Sequence, residues 1–268
     1  MNWAWMLTRI AVGAACSLTA TGMFLAGTSS AQVRTAPVAP AEADLPDFDF
    51  SDCPALPEGF GELGSICYNQ VVAGGRIEIG RLSHEITDPI RFTYAEVFNL
   101  QTGEWRLLAG PLHTKKVALP SEAIGLPPGR TVFATPEYAG GFTINYPNMT
   151  IGLKIRLSGA GLGGSCVIGS DEDPIPLSMT TGTTNPPPPN TPITGVPFTQ
   201  AGTDGKVNIM SATHVDNAFP APVAQGCEQF GENIDHLVNS TAGLPSPPGT
   251  NTVILDHYIA LLAYRNLP

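Results

Sequence analysis

The segment Ile151-Gly152-Leu153-Lys154-Ile155-Arg156-Leu157 decides the fold class. Its four aliphatic residues fall on one side of an extended chain, with Gly, Lys and Arg on the other. That is the period-two pattern of a strand with one buried face. Working outward, Arg76-Ile-Glu-Ile-Gly-Arg-Leu82 alternates in the same way. Arg91–Leu100 and Trp105–Leu108 read as a hairpin around the Gly-containing turn Gln101-Thr-Gly-Glu104. Shorter strands are expected near Lys115–Leu119, Phe142–Tyr146, Ile175–Thr181 and Lys206–Met210. Their spacing and turn residues predict an all-β protein, an antiparallel β-sandwich.

Two segments depart from this pattern. Asn185-Pro-Pro-Pro-Pro-Asn-Thr-Pro192 cannot donate to a sheet ladder and reads as an extended spacer. Glu228–Asn239 places Phe230, Ile234, Leu237 and Val238 on one face of a helix, ended by Gly243 and Pro245. This short helix near the C-terminus is expected to cap an open end of the sandwich, with Cys227 fastening its start. The run Thr252–Tyr264 fits two periods. Val253, Leu255, Ile259 and Leu261 share a strand face, whereas Tyr258, Leu261, Leu262 and Arg265 suit a helix. It is taken as a terminal core strand.

Charged residues make up 13% of the 268-residue chain, against roughly 25% in ordinary globular proteins. The 29 Gly and 26 Pro point to many turns. Residues 1–31 read as an export signal peptide: Arg9, an apolar run Ile10–Ala26, then Ser29-Ser30-Ala31 at the cleavage site. Gln32–Asp52 is an acidic leader rich in Pro and Ala, read as disordered or loosely docked, and 53–268 is one disulfide-stapled β domain. The signal holds one basic residue and no acid. Its removal leaves 12 Lys+Arg against 23 Asp+Glu, a formal charge of −11. Such a surface suits neither nucleic acid nor anionic lipid, both of which need clustered cations. No stretch beyond the signal is apolar enough for a membrane span.

Cys16 leaves with the signal; Gly13 stands where a lipoprotein motif wants a larger aliphatic residue. Cys53, Cys67, Cys166 and Cys227 remain, and four cysteines allow three pairings. Sequence alone leaves all three open. The favoured set is Cys53 with Cys67 and Cys166 with Cys227, since each pair then brackets a plausible folding unit. No C-x-x-C spacing points to a metal, and no metal or cofactor is expected.

Candidate chemistry is sparse. Gly159-Ala-Gly-Leu-Gly-Gly164 matches the dinucleotide fingerprint, but Ser165-Cys-Val-Ile-Gly169 follows it with no helical run. A glycine-rich turn is the better account. No G-x-S-x-G elbow exists. His84, His113, His214, His236 and His257 are scattered, with Asp216, Asp235 and Asp256 beside three of them; each histidine is read as structural or superficial. Asp171-Glu-Asp173 offers hard oxygen ligands for Ca²⁺ but lacks a D-x-D-x-D-G pattern, so a solvated turn is favoured. Asn148-Met-Thr150 and Asn239-Ser-Thr241 fit the glycosylation sequon.

Several stretches carry a resemblance: Leu162-Gly-Gly-Ser-Cys-Val-Ile-Gly-Ser170, Pro174-Ile-Pro-Leu177 and Thr180-Thr-Gly-Thr-Thr-Asn-Pro-Pro-Pro-Pro-Asn190. Val215-Asp-Asn-Ala-Phe219, Gly226-Cys227, Gly243-Leu-Pro245 and Asn251-Thr-Val-Ile-Leu255 add to it. Together they resemble uncharacterised secreted proteins common in actinobacteria. The resemblance implies export, a β-rich fold and a bridge like Cys166–Cys227, but no catalytic residue. The chain departs from it in Asp171-Glu-Asp173 and in its apolar tail after Leu255. The expected function is therefore a secreted, non-enzymatic binding or structural protein of the cell envelope or extracellular space. Its expected ligand is an envelope lipid or glycan, held in an apolar space between Ile151, Leu153, Ile155 and Leu157 and closed by Phe230, Ile234 and Leu237. A filled core is the plainer outcome for a sandwich this size. The rival reading is a hydrolase acting on envelope lipid or polysaccharide.

Overall fold

The computed structural model describes residues 45–268. The expected signal peptide, Cys16 and the first part of the acidic leader lie outside the described residues. Strands β1 (Gly61–Ile79), β2 (Leu82–Glu85), β3 (Ile90–Phe98) and β4 (Trp105–His113) come first. They are followed by β5 (Val117–Pro120), β6 (Thr131–Tyr138), β7 (Thr143–Asn145) and β8 (Asn148–Gly159). β9 (Val167–Ile168) and β10 (Ile175–Met179) precede the proline-rich connection, and β11 (Val196–Asp204), β12 (Val207–Asp216) and β13 (Ala224–Gln225) follow it. A small hairpin of β14 (Glu228–Gln229) and β15 (Glu232–Asn233) leads into α1 (Asp235–Ala242), and β16 (Thr252–Ala263) completes the set.

The strands form the expected antiparallel sandwich. One sheet runs β11-β12-β16-β1-β3-β4, with β2 on the far end of β1; the other runs β13-β9-β8-β6-β5, with β7 and β10 also on β8. Because residues opposite one another share a face, register fixes what points inward. Tyr68 of β1 stands opposite Leu261 and Tyr94, Gln70 opposite Ile259 and Phe92, and Val72 opposite His257 and Ile90. These meet Met149, Ile151 and Leu157 of β8 and Ile175, Leu177 and Met179 of β10 in the main core. β1 bulges between Val72 and Gly74. Just beyond, Gly75 has φ +110°, and a Cβ there would lie 2.0 Å from the Ile254 carbonyl oxygen, so only glycine fits.

The first sheet is apolar on its outer face too. Cys67, Ala95, Val97 and Tyr264 are buried there against Phe50, Cys53 and Leu56. Residues 45–52, expected to belong to a disordered or loosely docked leader, are therefore held on the sheet. Asn69 Nδ2 donates to the Asp49 carbonyl at 2.8 Å, and Arg91 donates to that of Asp47. The Cys53–Cys67 bridge staples this segment to β1.

The helix begins later than its apolar spacing predicts. Phe230 and Gly231 both have positive φ, 53° and 86°, forming the turn of the β14–β15 hairpin. A right-handed helix cannot pass through two such residues. Phe230 is consequently 78% exposed instead of packing inward. α1 buries Val238 and Ala242, ends at left-handed Gly243, and closes the end of the sandwich where β1 finishes. There Arg81 N–H donates to the Ala242 carbonyl at 2.7 Å. Its guanidinium donates to Ser240 and Thr241, a cation at the negative end of the helix. The Cys166–Cys227 bridge ties the entry to this helix to the loop between β8 and β9.

The two bridges close loops with sequence separations of 14 and 61, for which chain entropy gives about 3 and about 4 kcal/mol. Cys166 and Cys227 are fully buried. Cys166→Ser should therefore lower unfolding stability by about 2–5 kcal/mol, and by more than Cys53→Ser. Denaturant melts of the two variants check this; a larger loss for Cys53→Ser would contradict it.

Candidate functional site

At the end of the sandwich away from α1, the sheets separate around a cavity of about 300 Å³. The first sheet supplies Tyr68, Tyr94, Ile259, Leu261 and Met210; Met210 of β12 stands opposite Ile259, so all five share one face. The β7–β8 hairpin folds across with Ile144, Tyr146, Pro147 and Met149, and Phe198 of β11 stands at the side. The Tyr68 and Tyr94 rings stack at 4.8 Å, and Tyr146 stacks on Phe198 at 5.2 Å. Among these apolar walls, the Tyr68 hydroxyl donates to the Glu96 carboxylate at 2.7 Å. Burial pushes both phenols up, and for Tyr68 the hydrogen bond to Glu96 adds to it, so both remain hydroxyls at neutral pH.

Two histidines hold the hairpin in place. His214 of β12 stands opposite Leu255, and Ala212 opposite His257 of β16, so the two histidines are diagonal neighbours on one face. Their rings stack at 4.8 Å, with His214 Nδ1 2.6 Å from His257 Nε2. His214 Nε2 lies 2.8 Å from the Pro147 carbonyl oxygen. A carbonyl only accepts, so Nε2 of His214 carries the proton and donates. Nδ1 of neutral His214 must then accept from His257 Nε2–H. This leaves His257 Nδ1 as a bare acceptor, and that atom is buried without a partner. A proton added there would find nothing to bond. Burial accordingly lowers the pKa of both rings; for His257 the neighbouring His214 lowers it further, while the Pro147 bond partly offsets the shift at His214.

The other sequence candidates do not converge on this site. The acids adjacent to histidines in sequence are engaged elsewhere. Asp216 accepts from the Ser178 and Ala218 amides at 2.6 and 2.9 Å, Asp256 from the Thr213 hydroxyl, and Asp235 from the Cys227 amide. His113 pairs with Asp52 on the surface at 2.8 Å. His84 lines a separate cavity of about 80 Å³ between β2 and β5. In the acidic turn, Asp171 pairs with Lys154 at 2.6 Å while Ser170 Oγ accepts from the Glu172 and Asp173 amides. No group of three or more metal-ligating side chains gathers among the described residues. Gly159–Gly164 is a turn that leads to β9, with no helix after it. The expected apolar space is displaced: Leu157 is fully packed, Ile151 and Leu153 face only about 60 Å³, and Phe230 and Leu237 are exposed. The histidine pair and the tyrosine stack are not legible in the sequence. Both depend on pairing between strands far apart in the chain, and only strand alternation hints at them.

No protein-family model, curated protein or solved structure matches the chain.

The histidine pair predicts how stability varies with pH. Both folded-state pKa values lie below the ordinary 6.5, so the unfolded chain takes up protons that the folded chain refuses. Stability is complete above pH 6.5 and falls as the pH drops toward the folded values. The loss is about 1.4 kcal/mol per pH unit for each ring that stays neutral. Asp216, whose pKa burial raises from 3.8, acts oppositely, its contribution growing as the pH falls. Urea unfolding at pH 7.5 and 5.5 should show this loss, and a variant with both histidines changed to Gln should show a smaller one. Equal wild-type stability at the two pH values would contradict the assignment.

Proposed function

We propose that the protein is a secreted, non-enzymatic binding protein of the cell envelope or extracellular space, and that the cavity beside Tyr68 and Tyr94 holds an uncharged, largely apolar ligand. The observation that carries this reading is the cavity itself. Its volume of about 300 Å³ falls at the lower end of ligand sites, and its walls are mainly aromatic and aliphatic, with the Tyr68–Glu96 pair, Asn148 and His214 as polar members. A core residue set would ordinarily fill such a space. Glu96 and the acidic chain disfavour an anionic ligand, since like charges would meet in a poorly solvated setting. The Tyr68–Glu96 pair suits a ligand hydroxyl or amide.

Export is supported by the signal-like residues 1–31 and by two disulfides, which persist in oxidising compartments. Among the described residues, no helix is long and apolar enough to cross a membrane. The hydrolase reading finds less support: His214 and His257 bond to each other and to a backbone carbonyl, and His113 bonds to a surface carboxylate.

The test is direct. The mature protein should bind small uncharged apolar molecules saturably, read by displacement of an apolar fluorescent dye. Met210→Trp, which puts an indole into the cavity, should weaken binding at least about tenfold, equivalent to about 1.4 kcal/mol, with its melting transition retained. No saturable binding by the wild-type protein would overturn the proposal.

A further inference from the structure

The cavity beside Tyr68 and Tyr94 does not stand alone. Met149 lines it and also lines the cavity of about 60 Å³ between the sheets, next to Phe92 and Leu177. That middle cavity shares Ile77, Ile90, Thr114 and Pro136 with the third, of about 80 Å³, between β2 and β5. The three follow the inner face of β1 from Tyr68 through Gln70 and Val72 to Ile77. The nine steps from Tyr68 to Ile77 along the strand cover about 30 Å, far longer than a compact ligand. Met149, unbranched and flexible, stands where the first two meet, and such a side chain repacks at little cost.

One atom along this line lacks what its surroundings require. Gln70 is 4% exposed and lines the middle cavity, yet its Oε1 is buried with no hydrogen-bond partner. An amide oxygen so placed needs a donor. Its neighbours are almost all hydrocarbon, and the Thr114 hydroxyl already donates to the Pro136 carbonyl at 2.9 Å. A lone buried water wants two to four polar partners, more than this lining offers.

We infer that the three cavities act as one channel for an extended aliphatic chain. The chain carries a hydroxyl or similar donor partway along, which Gln70 accepts, and an uncharged polar end that meets Tyr68 and Glu96. This inference rests on the binding reading above and names the ligand class for that site. Met149 swings aside as the chain enters. The far opening, beside His84 and the Asp88–Lys115 pair, lets the distal end reach solvent.

The mature protein is titrated with straight-chain primary alcohols from hexanol to hexadecanol by dye displacement. A hexadecanol bearing a second, mid-chain hydroxyl is titrated alongside. Affinity should rise about fourfold per methylene well past the length that fills the first cavity, and the hydroxylated chain should bind about tenfold tighter than expected for its lost apolarity. Leu153→Trp, which fills the middle cavity, should stop the rise at the shorter alcohols. Gln70→Leu should remove the preference for the hydroxylated chain. If hexanol binds but affinity levels off in the wild-type protein at the shorter alcohols, the channel is wrong and the binding site stands. If no alcohol displaces the dye or binds at all, both fail.

Discussion

The pairing of β16 on both of its edges is the constraint on which the rest of the structure depends. Thr252–Ala263 lies between β1 and β12, in register with β1 from Glu78 to Ile66 and with β12 from Asp216 to Asn208. Its inward residues Val253, Leu255, His257, Ile259 and Leu261 meet the main core and the cavity. Outward-facing Ala260 and Leu262 are buried as well. A central strand covered on both faces reads as nearly continuous apolar sequence, which is why this segment also fits a helical period. Slipping the register by one residue would move His257 and Ile259 out of the interior and destroy both the histidine pair and the cavity wall.

The two ends of the sandwich are finished differently, and the proposed binding role rests on that difference. One end is sealed by α1, whose Val238 and Ala242 complete the apolar core and whose entry is tied down by Cys166–Cys227. The other is covered by the β7–β8 hairpin, attached through the Pro147 carbonyl to a neutral histidine pair. Side chains do not fill the space beneath this cover. A polar latch over an apolar void is a costly arrangement for a purely structural domain and a natural one for a domain that admits a ligand.

The legible parts of the fold were those where one physical rule acted alone. β8 showed clean alternation because only one of its faces is buried, and the bridges matched the pairing that brackets folding units. β6 was hidden by Pro136, which is tolerated because β5 pairs only as far as Ala134 and the proline needs to donate nothing there. β11 was hidden by two register shifts that break its period. The outer-face apolar residues of β1 masked its first half, since the segment from Leu45 to Phe60 covers them. The start of α1 was misplaced because Phe230 satisfies helical spacing while its backbone lies in the left-handed region. The site was less legible than the fold. Tyr68, Glu96, His214 and His257 come together only through strand pairing over long separations, and the orphaned amide of Gln70 is visible only once its neighbours are placed.

The most direct test of the central claim, that an apolar ligand space lies between the sheets, is a crystal of the mature protein soaked in an iodinated straight-chain alcohol. Anomalous density from iodine is expected inside the cavity bounded by Tyr68, Tyr94, Met149 and Phe198, with the histidine pair and the Pro147 contact intact. Iodine found only on the outer surface, with side chains closing that space, would contradict it.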